Sequence, residues 1–229
     1  MATSGTTTFD LDIDDIVQEA YERTGARTNS GYDLKSARRS LNILFSEWGN
    51  RGVYLWKVEL KEQLLTNGTA TYTAPTNAND ILEAYISTTT GTTSTTNDVS
   101  LTKISRSEYE ALHNKCSTGQ PSQYYVDRQT TPTITLYQTP DASTYTYIKY
   151  YYLKRIEDAG AYTNQADVVF RFIPCMVAGL AYYLSMKYNP QLVQQNKLIY
   201  EDELSRALNE DGQRTSVYIT PQTYFPQGV

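Results

Sequence analysis

The sequence predicts an α+β protein: an antiparallel helical bundle formed by N- and C-terminal helices, with an inserted antiparallel β-rich region and an extended C-terminal tail. Three observations predict it. Apolar residues recur at helical spacing near both ends of the chain. Between them the pattern switches to period two, punctuated by the turn residues Asn67-Gly68, Thr131-Pro132 and Pro140-Asp141. The last stretch, QRTSVYITPQTYFPQGV, has two prolines and no helical period. The expected division is 1–52 for the N-terminal helical hairpin, 53–160 for the β-rich insertion with one short helix, 161–212 for the C-terminal helices and 213–229 for the tail.

The first helix is expected from Ile13 to Thr24, with Ile13, Ile16, Val17, Ala20, Tyr21 and Thr24 on one face. Asp12 is placed as its N-cap and Gly25 as its stop. The second is expected from Leu34 to Trp48 behind Asp33, with Leu34, Ala37, Leu41, Leu44, Phe45 and Trp48 apolar and Gly49 and Gly52 closing it. The two should pack as an antiparallel pair across the intervening loop. Tyr54, Trp56, Val58 and Leu60 then alternate with Leu55, Lys57, Glu59 and Lys61, which reads as a strand with one buried face. Asn67-Gly68 signals a hairpin whose return strand is Thr69 to Ala74. A third strand is Ile81 to Ser87, followed by a polar loop or arm tip from Thr88 to Asn97. Ser105 and Glu108 form a capping-box pattern for a short helix through about Asn114. Gln123–Asp127, Thr133–Gln138 and Tyr145–Lys154 complete the strands. Helical period returns near Val168; Pro174 should kink or restart that helix, Asn189-Pro190 should stop it, and Pro190 should open a last helix to about Asn209.

Composition narrows the function. Hydrophobic residues are 40% and charged residues 20% of the chain, as in an ordinary folded domain. The formal net charge of −5 argues against a tight DNA binder, which needs clustered cations to displace counterions. There are 21 tyrosines against 5 Phe and 2 Trp. An apolar ring with a polar tip suits surfaces buried only on assembly, and also suits a sugar-binding sheet. The N-terminus lacks the basic start and apolar core of a signal peptide. The apolar run from Val168 to Met186 contains Arg171, Pro174, Tyr182 and Tyr183, so a buried helix is expected there and not a membrane span.

The search for chemistry mostly fails. Asp10, Asp12, Asp14 and Asp15 mimic the start of a calcium loop, but the positions that require Gly and Glu are Asp15 and Tyr21, and helix capping explains the acids. His113 and Cys116 have ligand-like spacing, yet the only other cysteine, Cys175, sits on an apolar face. A Cys–His nucleophile would have to use the same residues, and no Gly-x-Ser-x-Gly elbow or phosphate loop is present. No catalytic set, no metal and no cofactor is expected. Lys35, Arg38 and Arg39 read as a solvated or interfacial face before a phosphate site. In TYTYIKYYYLKR, Tyr145, Tyr147 and Tyr151 would share one strand face, with Ile148, Tyr150 and Tyr152 on the other. Sheet packing is the first reading of these tyrosines, and a subunit interface at Tyr145, Tyr147 and Tyr151 the second.

Several stretches carry a resemblance. FDLDIDDIVQEAYERTG and YDLKSARRSLNILFSEWGNRG resemble the N-terminal helical hairpin of podovirus head-to-tail adaptors, or connectors, some labelled tail tubular protein A. DILEAYI, LTKISRSEYEALHNK and GQPSQYYVDR resemble their middle, and ADVVFRFIPCMVAGLAYYLSMKYNP with YEDELSRALNEDG their C-terminal helices. The resemblance implies a structural protein of the virion, assembled in the host cytoplasm. It implies a homo-oligomeric ring, usually dodecameric, beneath the portal protein. Such a ring extends the DNA channel without specific DNA binding and carries the tail nozzle protein and, in some phages, a tail fibre. It further implies that the tail docks on the portal, with Val217, Tyr218, Ile219, Tyr224 and Phe225 as its apolar anchors. The alternatives are another virion tail-completion protein, a carbohydrate-binding attachment module and a cell-wall hydrolase.

Overall fold

The computed structural model describes residues 5, 11–26, 31–51, 55–91 and 97–211. Helix α1 (Ile13–Thr24) buries the six residues its spacing predicts. Gly25 ends it at φ +69°, a left-handed conformation that glycine adopts without a Cβ clash. The start of α1 differs from expectation. Asp12 occupies the cap position, but its side chain makes no cap bond. The carbonyls of Asn164 and Tyr162 accept from Ile13 and Asp14 N–H instead, at 3.0 and 3.1 Å. The segment following the β-region crosses the helix end, so backbone oxygens satisfy donors a side chain would otherwise cap. Helix α2 (Gly31–Arg51) is longer than its apolar stripe, with Asp33 in its first turn and Gly49 inside it. Its last residue holds the extra turn: Arg51 grips Glu201 with two bonds of 2.7 and 2.9 Å and also pairs with Glu47. Gly52, just after α2, and residues 27–30 between α1 and α2 lie outside the described residues.

The two N-terminal helices do not form a pair of their own. They make few mutual contacts, and both pack on α4, the helix at Ile173–Tyr188. The reason lies in α4, where every residue from Cys175 to Ala181 is buried, as are Leu184 and Ser185. A helix apolar on all sides must be covered on all sides. Helix α5 (Val193–Asp211) covers a third side through Tyr200, Leu204 and Ala207. Gly179 permits the closest approach: a Cβ there would lie 2.9 Å from both Leu44 and Tyr200. Trp48 Nε1 donates to Tyr200 Oη at 3.0 Å in the same cluster. Pro174 restarts the helix, sitting in its first turn behind a 3-10 turn at Phe170–Phe172. Pro190 likewise opens the 3-10 turn Pro190–Leu192 that leads into α5. Arg171, the charge that interrupts the apolar run, pairs with Asp211 at the end of α5, its Nε 2.8 Å from the carboxylate. Among the described residues no helix is long and apolar enough to cross a membrane.

The middle of the chain is a large curled sheet with its own core. Its strands are β1 (Val58–Leu64), β2 (Thr71–Thr73), β3 (Ala78–Ser87), β4 (Asp98–Ile104), β6 (Gln123–Asp127), β7 (Thr133–Tyr137) and β9 (Tyr147–Lys154), in the order β1-β9-β3-β4-β6-β7-β2. The short β5 (Thr118–Gly119) and β8 (Thr139–Pro140) pair separately. The main sheet is antiparallel except where β4 runs parallel to β6. A parallel pair needs a crossover, here the helix α3 (Arg106–Ala111) and the loop after it. Strand β4 has no counterpart in the sequence reading. The predicted hairpin also fails: Asn67-Gly68 does turn, with Gly68 at φ +78°, but β1 pairs with β9 and β2 with β7. The turn therefore joins the two ends of the strand order, and the sheet curls to let it. Leu65, Tyr72, Ile81, Leu101, Tyr124, Leu136, Ile148 and Tyr150 fill the inside of the curl. Lys57 and Asp167 form an ion pair that ties the start of β1 to the chain entering the helices.

The close contact at Gly179 makes a direct test of the helix packing. Gly179→Val should lower the unfolding free energy by about 2–3 kcal/mol, from overpacking and a β-branched residue in mid-helix. Urea denaturation measures it, and an unchanged midpoint would show that Leu44 and Tyr200 yield without cost.

Candidate functional site

Among the described residues, the outer face of β1, β9 and β3 leaves large apolar side chains exposed. The register sets Leu60 opposite Tyr151, Glu62 opposite Lys149 and Leu64 opposite Tyr147, with Glu83, Tyr85 and Ser87 beyond them on β3. Leu64 is 58% exposed, Leu60 46% and Tyr151 40%. This reverses the expectation for β1. Its apolar side faces outward, while Glu59, Lys61 and Gln63 stand over Tyr152, Tyr150 and Ile148. The reversal follows from position: β1 is an edge strand, and the core side of its partner is already filled by Ile148, Tyr150 and Tyr152. Period two sorts the rest as predicted, with Ile148, Tyr150 and Tyr152 buried and Tyr147 and Tyr151 outward. Tyr145 precedes β9 and packs against the inner cluster, so it does not share the outer face.

A buried cation organises the centre of this face. Lys149 is only 5% exposed; its ammonium donates to Gly91 O at 2.7 Å and lies 3.3 Å from Asp98 and 3.8 Å from Glu62. Glu62 also accepts from Gly91 N–H at 2.8 Å. The polar arm starting at Thr88 is thus clamped onto the outer face at its base; residues 92–96 lie outside the described residues. At the edge, Tyr152 Oη donates to Glu59 at 2.8 Å and Lys154 lies 3.2 Å away, and these contacts hold the Glu59 carboxyl below the usual range. The pattern marked the tyrosines, but Leu60, Leu64 and Lys149 emerge only from a register between strands some ninety residues apart.

The other sequence candidates scatter. Val217, Tyr218, Ile219, Tyr224 and Phe225 lie outside the described residues. His113 and Cys116 are exposed, and Cys175 is buried in α4. Burial pushes the Cys175 thiol up to about 12, so it is not an activated nucleophile. Among the described residues no three His, Cys, Asp or Glu side chains converge as a metal site would require. Asp12, Asp14 and Asp15 line the exposed side of α1, while Asp10 is outside the described residues. Lys35 and Arg39 are exposed; Arg38 is turned inward to Gly160 O at 3.2 Å and over the Tyr162 ring.

The structure thus has two cores, an ion pair between Lys57 and Asp167 where the sheet meets the helices, exposed apolar side chains on the edge strand and an anchored arm. Residues 8–223 match the SU10 adaptor protein family. The chain belongs to that family, whose members are structural adaptors of bacteriophages and components of the virion. No curated protein matches the chain.

Two measurements check the site. Titration with a thiol reagent near pH 8 should modify Cys116 alone in the folded protein and both cysteines after unfolding; rapid reaction of Cys175 in the native state would contradict its burial. Lys149→Met should raise amide exchange at Thr88–Gly91 about tenfold while leaving the helices unchanged. Unaltered protection there would show that the arm is held by something else.

Proposed function

We propose that the chain is the head-to-tail adaptor of a short-tailed bacteriophage, forming a homo-oligomeric ring between the portal protein and the tail nozzle protein. The observation that carries this reading is the family match over residues 8–223, nearly the whole chain. In this reading α1, α2, α4 and α5 act as one bundle, corresponding to 1–52 and 161–212, and the 53–160 region is its insertion. The 213–229 tail reaches the portal, with Val217, Tyr218, Ile219, Tyr224 and Phe225 as apolar anchors. A closed ring, dodecameric as in the adaptors this sequence resembles, suits a subunit whose sheet leaves edges and an apolar outer face to be covered. The interface suggested by Tyr145, Tyr147 and Tyr151 centres on Tyr147 and Tyr151, which pair with Leu64 and Leu60 on either side of the Glu62–Lys149 pair. The net charge of −5 is compatible with DNA passing through the channel without specific binding. Assembly in the host cytoplasm and a place for a tail fibre complete the proposal.

The test is to mix the purified protein with the portal ring of the same phage and image the product by electron microscopy. A second ring stacked coaxially beneath the portal is expected, and deletion of residues 213–229 should abolish it. A bare portal with free monomer would contradict the adaptor reading and turn attention to glycan binding by the tyrosine face.

A further inference from the structure

The helices carry two charged faces whose charges find few ion-pair partners among the described residues. The first is a groove between α2 and the end of α4, lined by Tyr32, Ser36, Arg39, Ile43, Lys187 and Tyr188. Tyr32 is 69% and Ile43 55% exposed. Lys187 crosses from α4 and donates to Ser40 Oγ at 2.7 Å, Ser36 Oγ at 3.0 Å and Ser36 O at 3.3 Å, all neutral acceptors. Burial and the nearby Arg39 hold its pKa below the usual lysine value. Lys35 stands one turn from Arg39 on the same exposed side of α2. None of Lys35, Arg39 and Lys187 has an ion-pair partner among the described residues. Asp33, at the groove's end, accepts from Tyr188 Oη at 3.2 Å.

The second face is the outer side of α1. Asp12, Asp14, Asp15, Glu19 and Glu22 are exposed there with Leu11, and a single cation, Arg23, pairs with Glu19 at 2.9 Å. No ion pair among the described residues joins α1 to α2. Each helix buries its apolar side on α4, and they make few contacts with each other, so the acids of α1 and the bases of α2 stand on separate helix faces. Like charges gathered beside exposed apolar side chains gain most from a complementary partner that brings both charge and cover.

We infer that the α2–α4 groove receives the acidic face of α1 from a second copy of this chain. The inference rests on the ring reading above and assigns the contact made by its helical layer. Two different patches of one subunit meeting head to tail generate a ring when the rotation closes. Leu11 accompanies the acids toward Tyr32 and Ile43, while the outer face of the sheet supplies a separate, apolar contact.

The test uses the full chain and the portal ring. Lys35→Glu with Arg39→Glu reverses the basic face, and Asp15→Lys with Glu19→Lys reverses the acidic one. All four positions are exposed, so folding should be unchanged by circular dichroism; Lys187 is left alone because it bonds the two helices. Each reversed chain should lose closed rings beneath the portal, and a chain carrying all four substitutions should regain them. Rings at the wild-type yield from either single-face variant overturn the inference and leave the adaptor reading intact. So does failure of the fourfold variant to recover, which would point to the portal as the partner of these charges. A wild-type chain that forms no ring overturns both.

Discussion

Helix α4 is apolar on every side, and the architecture follows from the need to cover it. No single neighbour can do this, so segments from both ends of the chain converge on it: α1 and α2 before the sheet, α5 after it. Gly179 lets Leu44 and Tyr200 meet at its surface, and the Trp48–Tyr200–Glu47 hydrogen bonds fix the side chains that do so. The polar links are at the margins, where Arg51 holds Glu201 and Arg171 holds Asp211. Segments from both ends of the chain thereby share one core, and the β-region between them has its own.

The sheet has its own constraint. Its first and last strands are consecutive in sequence, so a short turn must connect opposite ends of a seven-stranded order. Only a curled sheet allows this, and the curl creates an inside filled by Ile81, Tyr124, Leu136, Ile148 and Tyr150. An inside implies an outside, and on β1 and β9 the outside exposes Leu60, Leu64 and Tyr151 around the Glu62–Lys149 pair. A lone domain rarely leaves Leu60, Leu64 and Tyr151 together in water; an assembly subunit has reason to. This connects the packing to the family's role as structural adaptors.

What the sequence made legible was local. The bounds of α1 are set by an amphipathic stripe and Gly25, all within twelve residues, and the structure reproduces them. The capping box at Ser105 and Glu108 is likewise local; both of its bonds form, at 2.6 and 3.2 Å, although the helix stops at Ala111. Burial alternation along β9 was readable because period two is geometric. Partnership was not readable. Asn67-Gly68 announces a turn but not which strands flank it in space, and β4 exists because β3 and β6 offer it edges. The apolar residues of β1 looked like a core face, and only the register with β9 shows that they point out. Asp12 failed as a cap because the residues that replaced it, Tyr162 and Asn164, arrive from across the fold.

If this fold forms the ring that joins head to tail, a cryo-electron microscopy reconstruction of the phage neck will reveal it in place. The expected density is a ring immediately below the portal into which the α4-centred helices and the curled sheet fit as one subunit, repeated around the channel. Density there that accepts a different fold, with this chain located elsewhere in the particle, would contradict it.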